Sequence, residues 1–139
     1  RLRDGAPDGV LLVLEQGKVL VNLSNTAMFA GKFDDAQRWL ERAEAAFAAS
    51  GDETSENYAQ ALKIRGNLIR RGNNPDLKTG AAVLERSAAL FRERHPESGG
   101  RLGALFYLAQ TLRSANLPAR AEAVADEADR VEPGGAGSL

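Results

Sequence analysis

The chain has 139 residues, 43% of them hydrophobic and 27% charged, and a formal net charge of −1 at pH 7. This composition is ordinary for one globular domain, and it lacks the strongly basic character that is typical of general nucleic-acid binders. Cysteine is absent, which excludes disulfides and thiolate metal sites, and unbroken apolar runs such as Val10 to Leu14 are too short to span a bilayer. We therefore expect a cytoplasmic protein with no nucleic-acid or membrane partner.

Residues 1–8, RLRDGAPD, form a polar lead-in. Apolar residues are dense from Gly9 to Val21, and the valines among them would also suit a strand. We favour one long helix to about Ala30, because no partner strand is evident elsewhere in the chain. Gly17 weakens that helix by about 1 kcal/mol relative to alanine. The chain begins without a methionine, so we expect it to be a fragment of a longer protein.

The stretch from Leu20 to Ala43 predicts two helices joined by a turn at Gly31. Its apolar residues recur every three or four positions, which is the period of one helical face. Gly31 lies where a helix end favours a residue that tolerates a left-handed backbone. Asp34 and Asp35 follow, and their charge suits the start of the second helix. The predicted packing residues of this hairpin are Leu20, Leu23, Ser24, Ala27, Ala36, Leu40, Ala43 and Phe47.

This hairpin resembles a tetratricopeptide repeat. Ser24 stands where that family usually has glycine, and a third unit near the C-terminus shows the same pattern. The residues that carry the resemblance are Leu23, Ser24, Ala27, Gly31, Phe33, Ala36, Leu40 and Ala43 in the first unit, and Leu108, Ala109, Leu112, Ala121, Ala125, Ala128 and Pro133 in the third.

The predicted turn residues Gly31, Gly72 and Asn116 lie 41 and 44 residues apart. This period is longer than the commonest one of about 34 residues, so the likeness is to a long-helix form with a period above 40 that is found in bacterial signalling proteins. The middle unit departs from the pattern. Its turn carries about three extra residues, and either Arg65 or Gly66 is its small-residue position.

We therefore predict an all-α fold, an α-solenoid of about three helical hairpins, and the resemblance implies a right-handed superhelix. The hairpins span about 9–50, 54–94 and 98–132 within one domain of residues 9–133, and 134–139 form a disordered tail. Thr54 or Ser55 is expected to cap the third helix, Pro75 to open the fourth, and Ser98 to begin the third pair.

The sequence offers little for catalysis. His95, the only histidine, precedes a proline in a predicted turn, so we expect it to be a solvent-exposed turn residue. Without a second histidine or a cysteine, a histidine-rich zinc site and a thiol nucleophile are excluded. The glycines lack the spacing of a phosphate loop or a dinucleotide fingerprint. We predict no enzyme activity, no cofactor and no metal.

Charge is unevenly distributed along the chain. Segments 57–75 and 98–120 contain four and three basic residues and no acidic ones, whereas 34–56 has seven acidic and two basic residues and 121–132 has five and one. In the family that the chain resembles, first helices line a concave peptide-binding groove. The resemblance therefore implies a positive inner face, a negative outer face and an acidic partner segment. The alternative is that these charges form a solvated helix face.

Helical spacing selects the candidate groove residues. Lys63 followed by Asn67 resembles part of the clamp by which some family members hold a terminal carboxylate, although the other members of that clamp are not evident. Three aromatic residues, Trp39, Phe106 and Tyr107, are expected in the core between repeats more than as binding anchors, although Phe106 also has the spacing of a groove residue. The partner-binding candidates are Asn22, Asn25 and Phe29 on one helix, Lys63, Asn67 and Arg70 on a second, and Phe106, Gln110 and Arg113 on a third.

From these features we predict a non-catalytic protein–protein interaction module that holds an acidic partner segment in a concave groove. Two alternatives stay open. One is a regulatory or sensor segment of a larger bacterial signalling protein, such as a kinase, protease or transcription regulator. The other is a homo-oligomerisation module, which forms a homodimer through the N-terminal apolar helix at Val10 to Leu14.

Overall fold

A computed structural model describes residues 2–3 and 6–131, with side chains from residue 12 onward. This part of the chain is all-α, as predicted, and its six helices form packed consecutive pairs. Two short strands precede them, β1 (Leu2–Arg3) and β2 (Ala6–Pro7), which pair antiparallel. The helices are α1 (Asp8–Phe29) with α2 (Phe33–Ser50), α3 (Glu56–Arg71) with α4 (Leu77–Arg94), and α5 (Gly99–Ser114) with α6 (Pro118–Val131).

The N-terminal apolar run belongs to α1 and not to a strand, because its helical periodicity gives one side that packs on α2. Leu20, Val21, Ala27 and Met28 lie in the core that α1 and α2 share. Leu23, predicted to pack there as well, is instead 41% exposed on another side of the helix. The predicted tail 134–139 and Pro133 lie outside the described residues.

The three pairs turn in two different ways. Gly31 and Asn116 have φ of 78° and 66°, so each is a left-handed residue in the turn after a first helix. The turn after α1 and the turn after α5 each have three residues. Gly72 has φ of −77°, and five residues, 72–76, separate α3 from α4. The middle turn is therefore longer than the others, as the sequence indicates, and it does not use the left-handed conformation.

Side chains cap three of the helices. Ser55 accepts a hydrogen bond from the backbone N–H of Tyr58 at 3.1 Å, and Ser98 accepts one from Gly100 at 3.1 Å. The prediction that Pro75 opens α4 is wrong. Asp76 caps the helix by accepting a hydrogen bond from Thr79 N–H at 3.1 Å, and α4 begins at Leu77. Asp34 and Asp35 lie in the first turn of α2, where their charge faces the helix N-terminus without a capping bond.

Small residues set the close approach of paired helices. The buried Ser24 hydroxyl donates to Ala36 O at 2.8 Å, which ties α1 to α2. In the second pair Gly66, and not Arg65, occupies this position, because a Cβ there would lie 2.5 Å from Leu84 Cγ and 3.2 Å from Gly80 O. Ser87 adds a second link in this pair by donating to Ala59 O at 2.8 Å.

The first helices of the pairs form one continuous row. Helix α1 contacts α3, α3 contacts α5, and the second helices α2 and α4 pack against the first helix of the next pair. Tyr107 is partly buried between the second and third hairpins, as predicted, whereas Trp39 is partly buried at the outer edge of the first hairpin and not between repeats. Phe106, also predicted in the core, is 57% exposed, because the helical turn that buries Leu105 directs the next residue outward.

Candidate partner-binding groove

The row of first helices carries a polar cleft between α1 and α3 with a volume of about 450 Å³. Three predicted partner-binding residues, Asn22, Asn25 and Lys63, meet there. Amide side chains dominate the cleft, and an amide can both donate and accept a hydrogen bond, as a peptide backbone does. The lining residues are Lys18, Val21, Asn22, Asn25, Glu56, Asn57, Gln60, Lys63 and Ile64.

Lys63 is a largely buried cation without a carboxylate partner. Its Nζ lies over the backbone of α5, so close that a Cβ on Gly103 would be 3.1 Å away. Among the described residues no carboxylate oxygen lies within 4 Å of this ammonium group. Burial removes water from the charge and lowers the pKa of Lys63 below its ordinary value. An incoming acceptor would therefore relieve a cost that the folded protein already bears.

Arg70 lies further along α3 and is held by two neighbours. Its Nε and Nη2 donate to Asn67 Oδ1 at 3.1 and 2.6 Å, and its guanidinium lies 5.6 Å from the ring centre of Tyr107 on α5. Loss of water, followed by repulsion from Arg71, lowers the pKa of Arg70, whereas Tyr107 acts in the opposite direction. These contacts fix the guanidinium in place and leave it without a carboxylate among the described residues.

Asn67 is fully buried, so it orients Arg70 and has no surface with which to touch a partner. Its Nδ2 has no hydrogen-bond acceptor. Exchanging the amide oxygen and nitrogen would not help, because Nδ2 would then face the guanidinium donors. A buried donor without an acceptor costs about 1–3 kcal/mol in stability. The described residues therefore leave the hydrogen-bonding capacity of the Asn67 amide unsatisfied.

Two arginines of the first helices are paired, unlike Lys63 and Arg70: Arg65 bonds across the first two hairpins, and Arg101 bonds within the third. Arg65 donates to both carboxylate oxygens of Glu44 at 2.9 and 2.6 Å, and its third bond goes to Gln37 at 2.8 Å. Arg101 lies 3.2 Å from Glu127. Both arginines are mostly buried, and each joins a first helix to a second helix. Part of the positive charge that the sequence assigned to the groove therefore stabilises contacts between helices.

The predicted negative outer face is only partly correct. Helix α4 carries four basic and two acidic residues, so the outer layer is not uniformly negative. The exception arises because α4 lies in the gap between the charge segments 57–75 and 98–120 that the sequence defined. The outer layer is acidic only along α2 and α6.

The remaining candidates do not line the α1–α3 cleft. Phe29, 59% exposed, lies at the end of α1, and Phe106, Gln110 and Arg113 lie on α5. Sequence reasoning missed Lys18, Asn57 and Gln60. Asn57 and Gln60 could have been found, since Gln60 precedes Lys63 by three residues and Asn57 precedes Gln60 by three, the spacing of neighbours on a helix surface.

His95 has a structural contact that the sequence did not suggest. It ends α4, is half-buried, and its Nε2 lies 2.7 Å from Thr54 O, to which it donates a hydrogen bond. Its side chain thus links the end of the second hairpin to the loop that begins it. Across residues 12–131 there is no group of three or more His, Cys, Asp or Glu side chains that could hold a metal ion.

Val10 to Leu14, the predicted dimer interface, divides into different environments. Leu12 is 62% exposed, and Leu14 packs against the core of the first pair. The side chains of Val10 and Leu11 lie outside the described part of the chain. No helix in that part combines the length and the apolar character needed to cross a bilayer.

Comparison with known proteins gives no assignment. No protein-family model matches the sequence, and neither the curated proteins nor the solved structures give a significant match.

Proposed function

We propose that this chain is a non-catalytic interaction module of the tetratricopeptide-repeat type, which binds an acidic polypeptide segment along the row of α1, α3 and α5. The observation that carries the proposal is Lys63. It is a partly dehydrated cation that lines a peptide-sized cleft and has no carboxylate partner among the described residues.

The chemistry of the cleft supports a peptide as the ligand. Asn22, Asn25, Asn57 and Gln60 offer donors and acceptors that match the N–H and C=O groups of an extended backbone. Glu56 is the only acid of the cleft lining, and it accepts a hydrogen bond from Ser98 at 2.6 Å. Lys18 and Lys63, together with Arg70 further along the row, therefore select a ligand with acidic side chains.

The repeat type is supported by spacing and contact. Ser24 and Ala36 are 12 residues apart and hydrogen-bonded, and Ala109 and Ala121 have the same spacing and are both buried. The first helices stand next to one another in a row, the arrangement in which solenoids present an extended binding surface.

A labelled peptide of about ten residues, rich in Asp and Glu, tests the proposal by fluorescence anisotropy at low and high salt. Replacing Lys63, Arg70 and Arg113 together by glutamine should weaken binding about tenfold, equivalent to about 1.4 kcal/mol. It should also flatten the salt dependence, because fewer charges are left to be screened.

The matched control removes the same charge from the other layer. Lys78, Arg86 and Arg94 are exposed on α4 and have no ion-pair partner among the described residues, so their replacement by glutamine should leave affinity within about twofold. If both triple variants weaken binding equally, the peptide responds to overall charge and the groove assignment fails. Equal binding of a Lys-rich peptide would refute the proposed specificity.

A further inference from the structure

The outer side of the first hairpin carries an apolar surface, which we call the N-terminal face. It combines one stripe of α1 with the side of α2 that bears Trp39, and together they line a depression of about 460 Å³. Leu12 and Val19 are 62% and 55% exposed, and both lie in this stripe. Such a concentration of large exposed apolar side chains indicates an interaction site. The face consists of Leu12, Glu15, Gln16, Val19, Leu20, Leu23, Trp39 and Arg42.

The corresponding surface is buried in the other two hairpins. Leu20, Leu62 and Leu105 occupy matching buried positions in α1, α3 and α5. A residue of α1 therefore corresponds to the residue 42 positions later in α3 and to the residue 85 positions later in α5. Val19 then corresponds to Ala61 and Ala104, which are both fully buried against the preceding hairpin. The N-terminal face is thus the surface that each later hairpin uses to pack on its neighbour.

The C-terminal end of a second copy does not suit this face. The side of α2 that meets α3 bears Gln37 and Glu44, and both bond Arg65. By the same correspondence, Glu122 and Asp129 on α6 take the places of Gln37 and Glu44. On the N-terminal face of the second copy, Leu23 takes the place of Arg65. Head-to-tail stacking would therefore bury two carboxylates without the arginine that pairs with such groups, which is costly.

The N-terminal face of a second copy does suit it. Leu12, Gln16, Val19 and Leu23 are spaced by four, three and four residues, which is the alternation of a coiled-coil seam. A two-fold axis brings such a seam against itself in antiparallel orientation. Glu15 and Arg42 border the seam with opposite charges, and neither has an ion-pair partner among the described residues, so each is available to the other copy.

We propose that the protein forms a two-fold homodimer in which the N-terminal faces of two copies pack together. The seam from Leu12 to Leu23 covers only about three turns of α1, which is short for a stable interface, so the dimer is weak and depends on concentration. This proposal is independent of the peptide groove, because Asn22 and Asn25 line α1 on a different side from Val19.

Sedimentation equilibrium over a range from about 5 to 500 µM tests the dimer, since a weak complex dissociates within that window. The wild-type mass should rise from that of one copy towards two. Val19→Asp should remain a monomer throughout, because two carboxylates would be buried near the axis. Phe106→Asp is the matched control: Phe106 is 57% exposed but lies on α5, so this variant should dimerise like the wild type.

Two further variants test the geometry. The chain has no cysteine, so a single Gln16→Cys near the centre of the seam should give a disulfide-linked dimer under mild oxidation, whereas Ala45→Cys, exposed on α2 outside the face, should not. Glu15→Arg should weaken the dimer, and Glu15→Arg combined with Arg42→Glu should restore it.

Three outcomes would overturn the proposal. The first is a wild-type chain that stays monomeric up to the highest concentration. The second is a Val19→Asp variant that dimerises as well as the wild type. The third is a mass that grows beyond two copies, which indicates open head-to-tail association.

Discussion

Gly66→Ala is the substitution for which the structure predicts the sign most clearly. Gly66 lies inside α3 where that helix meets α4, and a Cβ would lie 2.5 Å from Leu84 Cγ and 2.9 Å from Leu84 Cδ2. Leu84 is fully buried, so it has no room to move aside. The carbonyl of Gly80, at 3.2 Å, belongs to the α4 backbone and moves only if the two helices separate.

Two opposing terms set the magnitude. Alanine favours a helix over glycine by about 0.8–1.0 kcal/mol. Overpacking a well-filled core costs about 1–3 kcal/mol, and a contact of this length belongs in the upper part of that range. We therefore expect a net loss of about 1–2 kcal/mol in the free energy of unfolding, or a fall in Tm of roughly 3–8 °C.

Urea unfolding followed by circular dichroism measures this loss, with Gly103→Ala as the matched control. Gly103 also lies inside a helix, but its nearest neighbour is the flexible end of Lys63 at 3.1 Å. Alanine there should keep most of the helix-propensity gain of about 1 kcal/mol. The two Gly→Ala substitutions should thus change stability in opposite directions.

A double-mutant cycle with Leu84→Ala identifies the cause. Leu84→Ala alone should cost about 2–5 kcal/mol, because it leaves a cavity. In that background Gly66→Ala should become neutral or stabilising, since the group that it meets is gone. The reasoning is refuted if Gly66→Ala is as stable as the wild type, or if its cost is the same with and without Leu84.

Two predictions concern pH. Lys63→Met should raise the free energy of unfolding at pH 7 by up to about 1 kcal/mol. The apolar part of the side chain stays buried, and the dehydrated charge is removed. The pKa of Lys63 is lowered in the folded state, so the unfolded chain holds more protons between the two pKa values and wild-type stability rises with pH through that window. The advantage of the variant should then shrink in urea melts towards alkaline pH, and a variant less stable than wild type at pH 7 would contradict this. Hydrogen bonds from the Thr79 backbone and hydroxyl lower the pKa of Asp76, so its contribution is present above the ordinary aspartate pKa and is lost as pH falls through the folded-state value. Asp76→Ala should therefore lower Tm at neutral pH with a deficit that fades in acid, whereas Asp76→Asn should keep the cap and show little pH dependence; a deficit that persists unchanged at low pH would speak against the cap.

The sequence by itself determined the all-α class and the boundaries of most helices. These follow from local rules: apolar residues repeat with the helical period, Ser55 and Ser98 cap the helices that follow them, and Gly31 tolerates the left-handed turn. The small residues Ser24 and Ala36 also indicated where the first two helices meet. The start of α4 was misjudged, because both Pro75 and Asp76 carry a helix-start signal.

Only the tertiary structure decided which residues face which partner. Helical spacing groups Lys63, Asn67 and Arg70 on one side of α3, but the fold buries Asn67, leaves Lys63 at the α1–α3 cleft and places Arg70 near Tyr107 of α5. Likewise, Arg65 is one of the basic residues that the sequence assigns to the groove, yet its side chain bonds Glu44, 21 residues earlier in the chain. The physical reason is that a helix fixes relative directions along its own axis, whereas burial and ion pairing depend on the neighbours that the fold brings to each side.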